Sequence, residues 1–260
     1  MQIQPPVINI FEKAVRKAGR SLLRDFGEIE NLQIQTKGLG DFVTNADLKT
    51  EQNLVETLKY YYPNATYITE ENGKIKGNEE IIVIDPIDGT TNFIHGIPLI
   101  GIVIAKIINE EITDGVIYNP ILDDFFWASK GKGAWCNNHR LRVSKRQDII
   151  DCIVGTGIPH ADRIYPQYLE EIDAISENCS GLRRLGAASI DLAFVAAGKL
   201  DAFWERNLNI WDVSAGVLLV KEAGGRVSQP NGESWNIHSK DILVSNSNIH
   251  KIIQEKLTII

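Results

Sequence analysis

The chain has 260 residues, with 27 Lys and Arg against 34 Asp and Glu and a formal charge of −7. At 43% hydrophobic and 23% charged it reads as a folded globular protein, which excludes a disordered, collagen-like or disulfide-dense chain. The length suits one large domain or two tightly packed smaller ones, with room for a sizeable core. The longest apolar run, 97–108, is broken by Lys106 and falls short of the roughly 18 residues that span a bilayer. The opening residues lack the basic and apolar regions of a secretory signal. Cys136, Cys152 and Cys179 form no CxxC pair, which points to free thiols in a reducing, cytoplasmic setting. The acidic balance weighs against direct nucleic-acid binding and suits a site that holds cations.

In chain order, Val7, Ile10, Phe11, Ala14, Val15, Ala18, Leu22 and Phe26 fall at helical spacing. Pro5 and Pro6 fit the first turn, and Gly27 fits the end. A second helix is predicted over 45–61, opened by a capping arrangement of Thr44 with Asp47 and stopped by Pro63. The period then changes. Segments 66–69, 81–84, 99–107, 111–118 and 124–128 are rich in Ile, Val, Thr and aromatics and read as strands. Further on, 149–154 reads as a strand, 167–177 and 188–197 as helices and 202–204 as a strand. An apolar helix is predicted over 212–223, then a strand at 241–244 and a helix at 247–257. No Pro/Gly/Ser-rich linker divides the chain. It is expected to form one unit over 1–260, with an α+β half of about 1–145 packed on an α/β half of about 146–260.

The most informative stretch is Ile81-Ile82-Val83-Ile84-Asp85-Pro86-Ile87-Asp88-Gly89-Thr90-Thr91-Asn92-Phe93. A buried strand delivers two aspartates, with Pro86 stiffening the turn between them. Carboxylates this close repel unless a cation lies between them, and oxygen-only ligands suit hard ions such as Mg²⁺. Gly89 permits close backbone approach. Thr90 and Thr91 can open a short helix whose exposed N–H groups favour phosphate. The plain alternative is a solvated turn, since Asp, Pro, Gly and Thr are common turn residues.

The full string resembles the signature of the inositol monophosphatase family of Mg²⁺-dependent, lithium-sensitive sugar phosphatases. The family's second signature is matched by Trp211-Asp212-Val213-Ser214-Ala215-Gly216, and its upstream acid by Glu70-Glu71-Asn72-Gly73. Asp41-Phe42-Val43-Thr44-Asn45-Ala46-Asp47, following Gly40, looks like its N-terminal element. The resemblance implies an α+β fold, the layered αβαβα sandwich shared with fructose-1,6-bisphosphatase. It implies that Glu70, Asp85 and the Ile87 carbonyl hold a first Mg²⁺, and that Asp85, Asp88 and Asp212 hold a second. A third, largely water-ligated ion is expected near Glu70, giving two to three ions per site, with Mn²⁺ as a substitute. Asp47 and Thr90 are the expected catalytic pair, orienting and deprotonating water. Gly89, Thr90, Thr91, Gly186, Ala187, Ala188, Glu205 and Asp212 are the expected substrate contacts.

Other residues take plainer readings. Glu51 lies one helical turn after Asp47 on the same face, where it could touch the same cluster, but it reads first as a solvated surface acid. His95 is assigned to packing, and Gly131-Lys132-Gly133 to a β-turn because it lacks the P-loop pattern. Arg183-Arg184 suits phosphate binding or a solvated or dimer-interface pair equally.

The expected activity is phosphoric monoester hydrolysis of myo-inositol monophosphate or a similar small polyol phosphate, by in-line attack of a Mg²⁺-activated water. Fructose 1,6-bisphosphate, 3′(2′),5′-bisphosphonucleotide and histidinol phosphate are the competing substrates. The alternative of another class is a regulatory binding protein of the transcription and ribosome-assembly machinery. A homodimer, and no membrane association, complete the expectations.

Overall fold

The computed structural model describes residues 4–27, 34–38, 41–158 and 168–258. The chain opens with α1 (Pro6–Gly27), a small hairpin of β1 (Ile34–Gly38) and β2 (Asp41–Thr44), and α2 (Asn45–Lys59). It continues through β3 (Thr66–Thr69), β4 (Gly73–Ile75), β5 (Ile81–Asp88) and α3 (Thr90–Ile94). An antiparallel run follows: β6 (Gly101–Ile108), β7 (Glu111–Asn119), β8 (Asp124–Ser129), β9 (Gly133–Cys136) and β10 (His139–Arg140). Beyond it come β11 (Ile153–Thr156), α4 (Tyr168–Ser176), β12 (Gly181–Arg183), α5 (Ala188–Ala196) and β13 (Ala202–Glu205). The last elements are α6 (Ile210–Glu222), β14 (Arg226–Ser228), β15 (Ile242–Ser245) and α7 (His250–Thr258).

The strands form an eight-stranded sheet in the order β10-β9-β8-β7-β6-β5-β3-β4 and a five-stranded sheet in the order β12-β11-β13-β15-β14. In the large sheet β3 and β5 run parallel. The small sheet is parallel through β12, β11 and β13 and antiparallel beyond.

Three apolar clusters stack these layers. Ile8, Phe11, Val15 and Leu22 of α1 and Leu54 and Leu58 of α2 cover Ile82, Ile84, Ile102 and Ile104 on one face of the large sheet. Its other face, with Val83, Val103 and Ile117, packs on Leu192, Val195, Val217 and Val220 of α5 and α6, which also cover Phe203 and Val244 of the small sheet. Val154, Trp204 and Leu243 on that sheet's outer face meet Ile175 of α4 and Ile253 and Leu257 of α7. The result is an αβαβα sandwich. α5 and α6 lie between two sheets and are apolar almost all round, as a helix buried on both sides must be.

Several elements depart from the sequence expectation. The segment 149–154 is a 3-10 turn at Ile149–Asp151 followed by β11, because the N–H groups of Asp151 and Cys152 bond back to the carbonyls of Asp148 and Ile149. The final helix begins at His250, since Asn246 Oδ1 accepts the N–H groups of Asn248 and Ile249 and holds that stretch as a turn. The short strands β4, β9, β10, β12 and β14 have too few residues to show alternation. Gly40 and Gln167 lie outside the described residues.

Candidate active site

β5 shows why two aspartates three apart can serve one site. In a regular strand, residues three apart face opposite sides. Here Asp85 pairs with Val103 but Asp88 with Gly101, so β5 carries one extra residue against β6. This bulge flips the alternation: Ile82 and Ile84 face the α1/α2 layer, and so does Ile87. Asp85 and Asp88 are thereby turned toward the same acid cluster. The sequence expectation of a strand ending at Ile84 is corrected accordingly; the strand continues through the aspartates. Pro86 sits in the bulge, where its missing N–H costs no ladder bond. Asp85 Oδ1 accepts the Ile87 N–H at 3.0 Å, which ties off the turn.

Asp85 is 1% exposed and its pKa is pushed well above the usual carboxylate range. Burial is the largest cause, followed by the charges of Glu70, Asp88 and Asp212, and its carboxyl group is hydrogen-bonded to that of Glu70. Two carboxyl groups share a hydrogen bond only if one keeps a proton, or a cation takes the proton's place. Burial also raises Asp88 to about 6, against the opposing pull of backbone N–H groups of α5. One of these, Ser189 N–H, donates to Asp88 Oδ2 at 2.7 Å. Asp212 is raised to about 8 by burial and by Asp88.

Asp212 stands at the third position of α6, where its Oδ2 accepts the Asn209 N–H at 2.6 Å. The N-cap is Asn209, so Asp212 completes a capping box. Asp47 occupies the same position in α2: its Oδ2 accepts the Thr44 N–H and the Thr44 hydroxyl, both at 2.7 Å. Three helix N-termini, of α2, α5 and α6, therefore each hold one of these acids. Their partial positive ends offset part of the crowded negative charge.

Thr90 joins the pieces. Its hydroxyl lies 3.2 Å from Asp47 Oδ1 and 3.1 Å from the Ile87 carbonyl oxygen. Asp47 is 0% exposed, and burial lifts it to about 6 against its bonds to Thr44. Gly89, at φ +90°, precedes Thr90 in a backbone conformation that favours glycine. A Cβ there would also press on Ala187 Cβ at 3.0 Å and on the Gly186 carbonyl at 3.3 Å, so the 89–91 loop abuts the 186–188 segment. Asn92 Nδ2 fastens that contact by donating to the carbonyls of Leu99 and Leu185, both at 2.8 Å. Thr91 is partly exposed in the first turn of α3, a helix of five residues. Glu205 ends β13 with its carboxyl group near Asp88; burial and that charge raise it to about 8, with Arg184 opposing.

The structure thus brings Asp47, Glu70, Asp85, Ile87, Asp88, Thr90, Glu205 and Asp212 to one end of the two sheets. Asp88, Thr90, Glu205 and Asp212 keep part of their surface open. An all-oxygen, mutually repelling donor set fits a hard divalent cation. Among the described residues no three acidic, His or Cys side chains are yet gathered at ligating spacing, so an ion would have to draw them together.

Sequence reasoning missed several supports. Glu51 is not solvated: it is 1% exposed and accepts the N–H groups of Glu71 and Asn72 at 2.8 and 3.1 Å, and Asn72 Nδ2 at 2.6 Å. It thereby ties the turn carrying Glu70 to the helix carrying Asp47. Its one-turn spacing from Asp47 was the available signal. Asp191, buried with Oδ1 unpartnered among the described residues, also went unread. His95 is exposed rather than packed, since it caps the short α3 at the surface. Gly131 and Gly133 form the expected turn between β8 and β9, both at positive φ. No helix among the described residues is long and apolar enough to cross a membrane.

The model of the inositol monophosphatase family matches residues 4–259. The chain is 47% identical to an inositol-1-monophosphatase of Caulobacter vibrioides, over 94% of this chain and 98% of that one. It is 38% identical to the Nus factor SuhB of Escherichia coli, over 95% and 93%. Among solved structures, extragenic suppressor protein suhB from Bartonella henselae superposes with a TM-score of 0.93 at 43% identity, covering 97% and 98%. An IMPase from Thermotoga maritima gives 0.89 at 31%, covering 97% of each chain.

Proposed function

Because the chain belongs to the inositol monophosphatase family, we propose that it hydrolyses myo-inositol monophosphate or a closely similar polyol phosphate, with Glu70, Asp85, Asp88, Asp212 and the Ile87 carbonyl holding Mg²⁺. The observation that supports this most is the buried acid cluster around Asp85, where four carboxyl groups converge. Such a cluster is stable as a set of anions only around cations. When bound, Mg²⁺ would neutralise phosphate charge and acidify a water.

The chain's own residues supply the rest. The Thr90 hydroxyl bridges Asp47 Oδ1 and the Ile87 carbonyl, so it can orient a water and pass its proton to Asp47. Burial that lifts Asp47 to about 6 brings it nearer the pKa useful to a base at neutral pH. Backbone N–H groups at Gly89, Thr90 and Thr91, at the start of α3, would hold phosphate oxygens, and fixed donors stabilise growing charge. Gly186, Ala187 and Ala188 are small enough to pack against the 89–91 loop and Asn92 and so border the substrate position, and Glu205 accepts hydrogen bonds from the ring hydroxyls.

A phosphate-release panel tests this reading. Inositol 1-phosphate should be the best substrate, ahead of fructose 1,6-bisphosphate, 3′,5′-bisphosphonucleotide and histidinol phosphate. A different winner would reassign the substrate, and no Mg²⁺-dependent release from any would refute the reading. Millimolar lithium should inhibit turnover. The relatives named Nus factor SuhB support a second reading, a regulatory role through protein contacts. Recovery of RNA polymerase with the tagged chain, with function retained after a metal-site substitution, would favour it.

A further inference from the structure

The end of β11 is bare where two acids descend on it. Thr156 of β11 pairs with Trp204 of the parallel β13, and the Thr156 hydroxyl donates to the Trp204 carbonyl at 2.9 Å. The next residue on each strand is Gly157 and Glu205. Glu205 does not turn away from its neighbour: a Cβ on Gly157 would fall inside the Glu205 carboxyl group, meeting Cδ, Oε1 and Oε2. The carboxyl group therefore lies flat on the Gly157 backbone, in space that any other residue would fill.

A second acid closes the other way out. Gly155 lies two residues earlier, and a Cβ there would stand 2.8 Å from Asp191 Oδ1. Asp191 is 1% exposed, and that oxygen has no hydrogen-bond partner among the described residues. The space over Gly155 is thus taken by a carboxyl group, and Glu205 is confined to the space over Gly157. A glutamate has three freely turning side-chain bonds, so a seat of this kind removes freedom that binding would otherwise have to remove. Glu205 keeps part of its surface open beside Asp88.

We infer that Gly157 is a positioning residue for substrate choice: lacking a side chain, it seats the Glu205 carboxyl group where it accepts hydrogen bonds from ring hydroxyls of a cyclic polyol phosphate. The inference rests on the reading of Glu205 as the polyol contact. It concerns only the part of the substrate that carries hydroxyls. A phosphate ester without hydroxyls has nothing for that carboxyl group to accept.

The test compares inositol 1-phosphate with 4-nitrophenyl phosphate in the Mg²⁺-supplied wild type, Gly157→Ala and Glu205→Gln. Gly157→Ala should raise KM for inositol 1-phosphate by about tenfold, the loss expected when a buried hydrogen bond is misplaced. Its kcat, and both constants for 4-nitrophenyl phosphate, should stay within about twofold. Glu205→Gln should show the same split, and the double variant should be no worse than the worse single one, because both act on one contact. If Glu205→Gln impairs both substrates alike, the polyol reading of Glu205 fails and the inference with it. If Glu205→Gln gives the split and Gly157→Ala does not, the reading stands and the role of Gly157 is overturned. Should Gly157→Ala fail to fold, Glu205→Asp and Gly157→Ala/Glu205→Asp carry the test. The shorter acid withdraws from the new Cβ, so the pair should share one KM for inositol 1-phosphate. A pair variant that is unfolded, or worse than Glu205→Asp alone, overturns the inference.

Discussion

Glu51 offers the sharpest test of how this site is held. Its carboxylate, buried on α2, accepts three hydrogen bonds from Glu71 and Asn72. Hydrogen bonds to a charged group contribute roughly 1.5–3 kcal/mol each when buried. Asn72 is exposed, so its side-chain amide can turn to water, and the two backbone N–H groups at this turn can partly rehydrate. The loss in Glu51→Ala is therefore about 2–4 kcal/mol, below the full sum. For a chain of this size about 1 kcal/mol shifts Tm by roughly 2–4 °C, so the variant should melt roughly 4–16 °C lower. Glu51→Gln keeps one acceptor oxygen and should lose about half as much. Because the freed turn carries Glu70, the Mg²⁺ concentration for half-maximal phosphate release should rise about tenfold if about 1.4 kcal/mol falls on re-forming it. Thermal melts and Mg²⁺ titrations measure the two effects. A Glu51→Ala protein with wild-type melting and wild-type Mg²⁺ dependence would refute the claim that these bonds hold the site.

Asp88→Asn should abolish turnover while the purified protein stays folded by circular dichroism; full activity would sink the cation-holding role of the cluster. Removing one of several repelling charges should also leave the metal-free Tm no lower than that of wild type. Thr90→Ala deletes the hydroxyl between Asp47 and Ile87 and should cut kcat by about a hundredfold or more, with Thr90→Ser restoring most of it. Unimpaired kcat in the alanine variant would remove Thr90 from the chemistry. His250, held between the Ser228 and Ser245 hydroxyls, is pushed down to about 4 by burial and by Arg226. Its folded pKa lies below the unfolded value of about 6.5, so its contribution is intact above pH 6.5 and is lost as pH falls toward 4. The loss approaches roughly 3 kcal/mol at the acid end. Denaturant melts of His250→Gln should show a flatter decline between pH 6.5 and 4 than wild type, and an identical slope would contradict this.

Much of the fold was legible because its long elements carry clear periods. α1 shows eight apolar residues at helical spacing, and β3 and β7 alternate or run apolar between turn signals. α5 and α6 were found through continuous apolar character, yet nothing in that character says they lie between two sheets. The strands of two to four residues at the sheet edges went unread, since pairing rather than composition makes them strands. At the site, Asp47, Asp85, Asp88, Thr90 and Asp212 stood out by motif. Glu51 and Asp191 did not, because a buried acid and a surface acid have the same letter, and Gly157 did not, because only strand pairing sets it beside Glu205.

The residue types are read from the sequence alone: a strand leading to aspartates, a glycine and threonines, a capping arrangement of Thr44 with Asp47, and an excess of negative charge; that Asp212 stands third in its helix, behind Asn209, is not. The sequence also carried the family through four ordered motifs. Tertiary structure decided which side each acid faces. The bulge at Pro86 puts Asp85 and Asp88 on one side, where regular alternation would have separated them. The N-termini of α2, α5 and α6 converge from positions far apart in the chain. Pairing between β11 and β13 sets Gly157 beside Glu205. Local sequence fixes local dihedrals and hydrogen-bond caps, but the like-charge repulsion that calls for a cation arises only when distant segments are packed together.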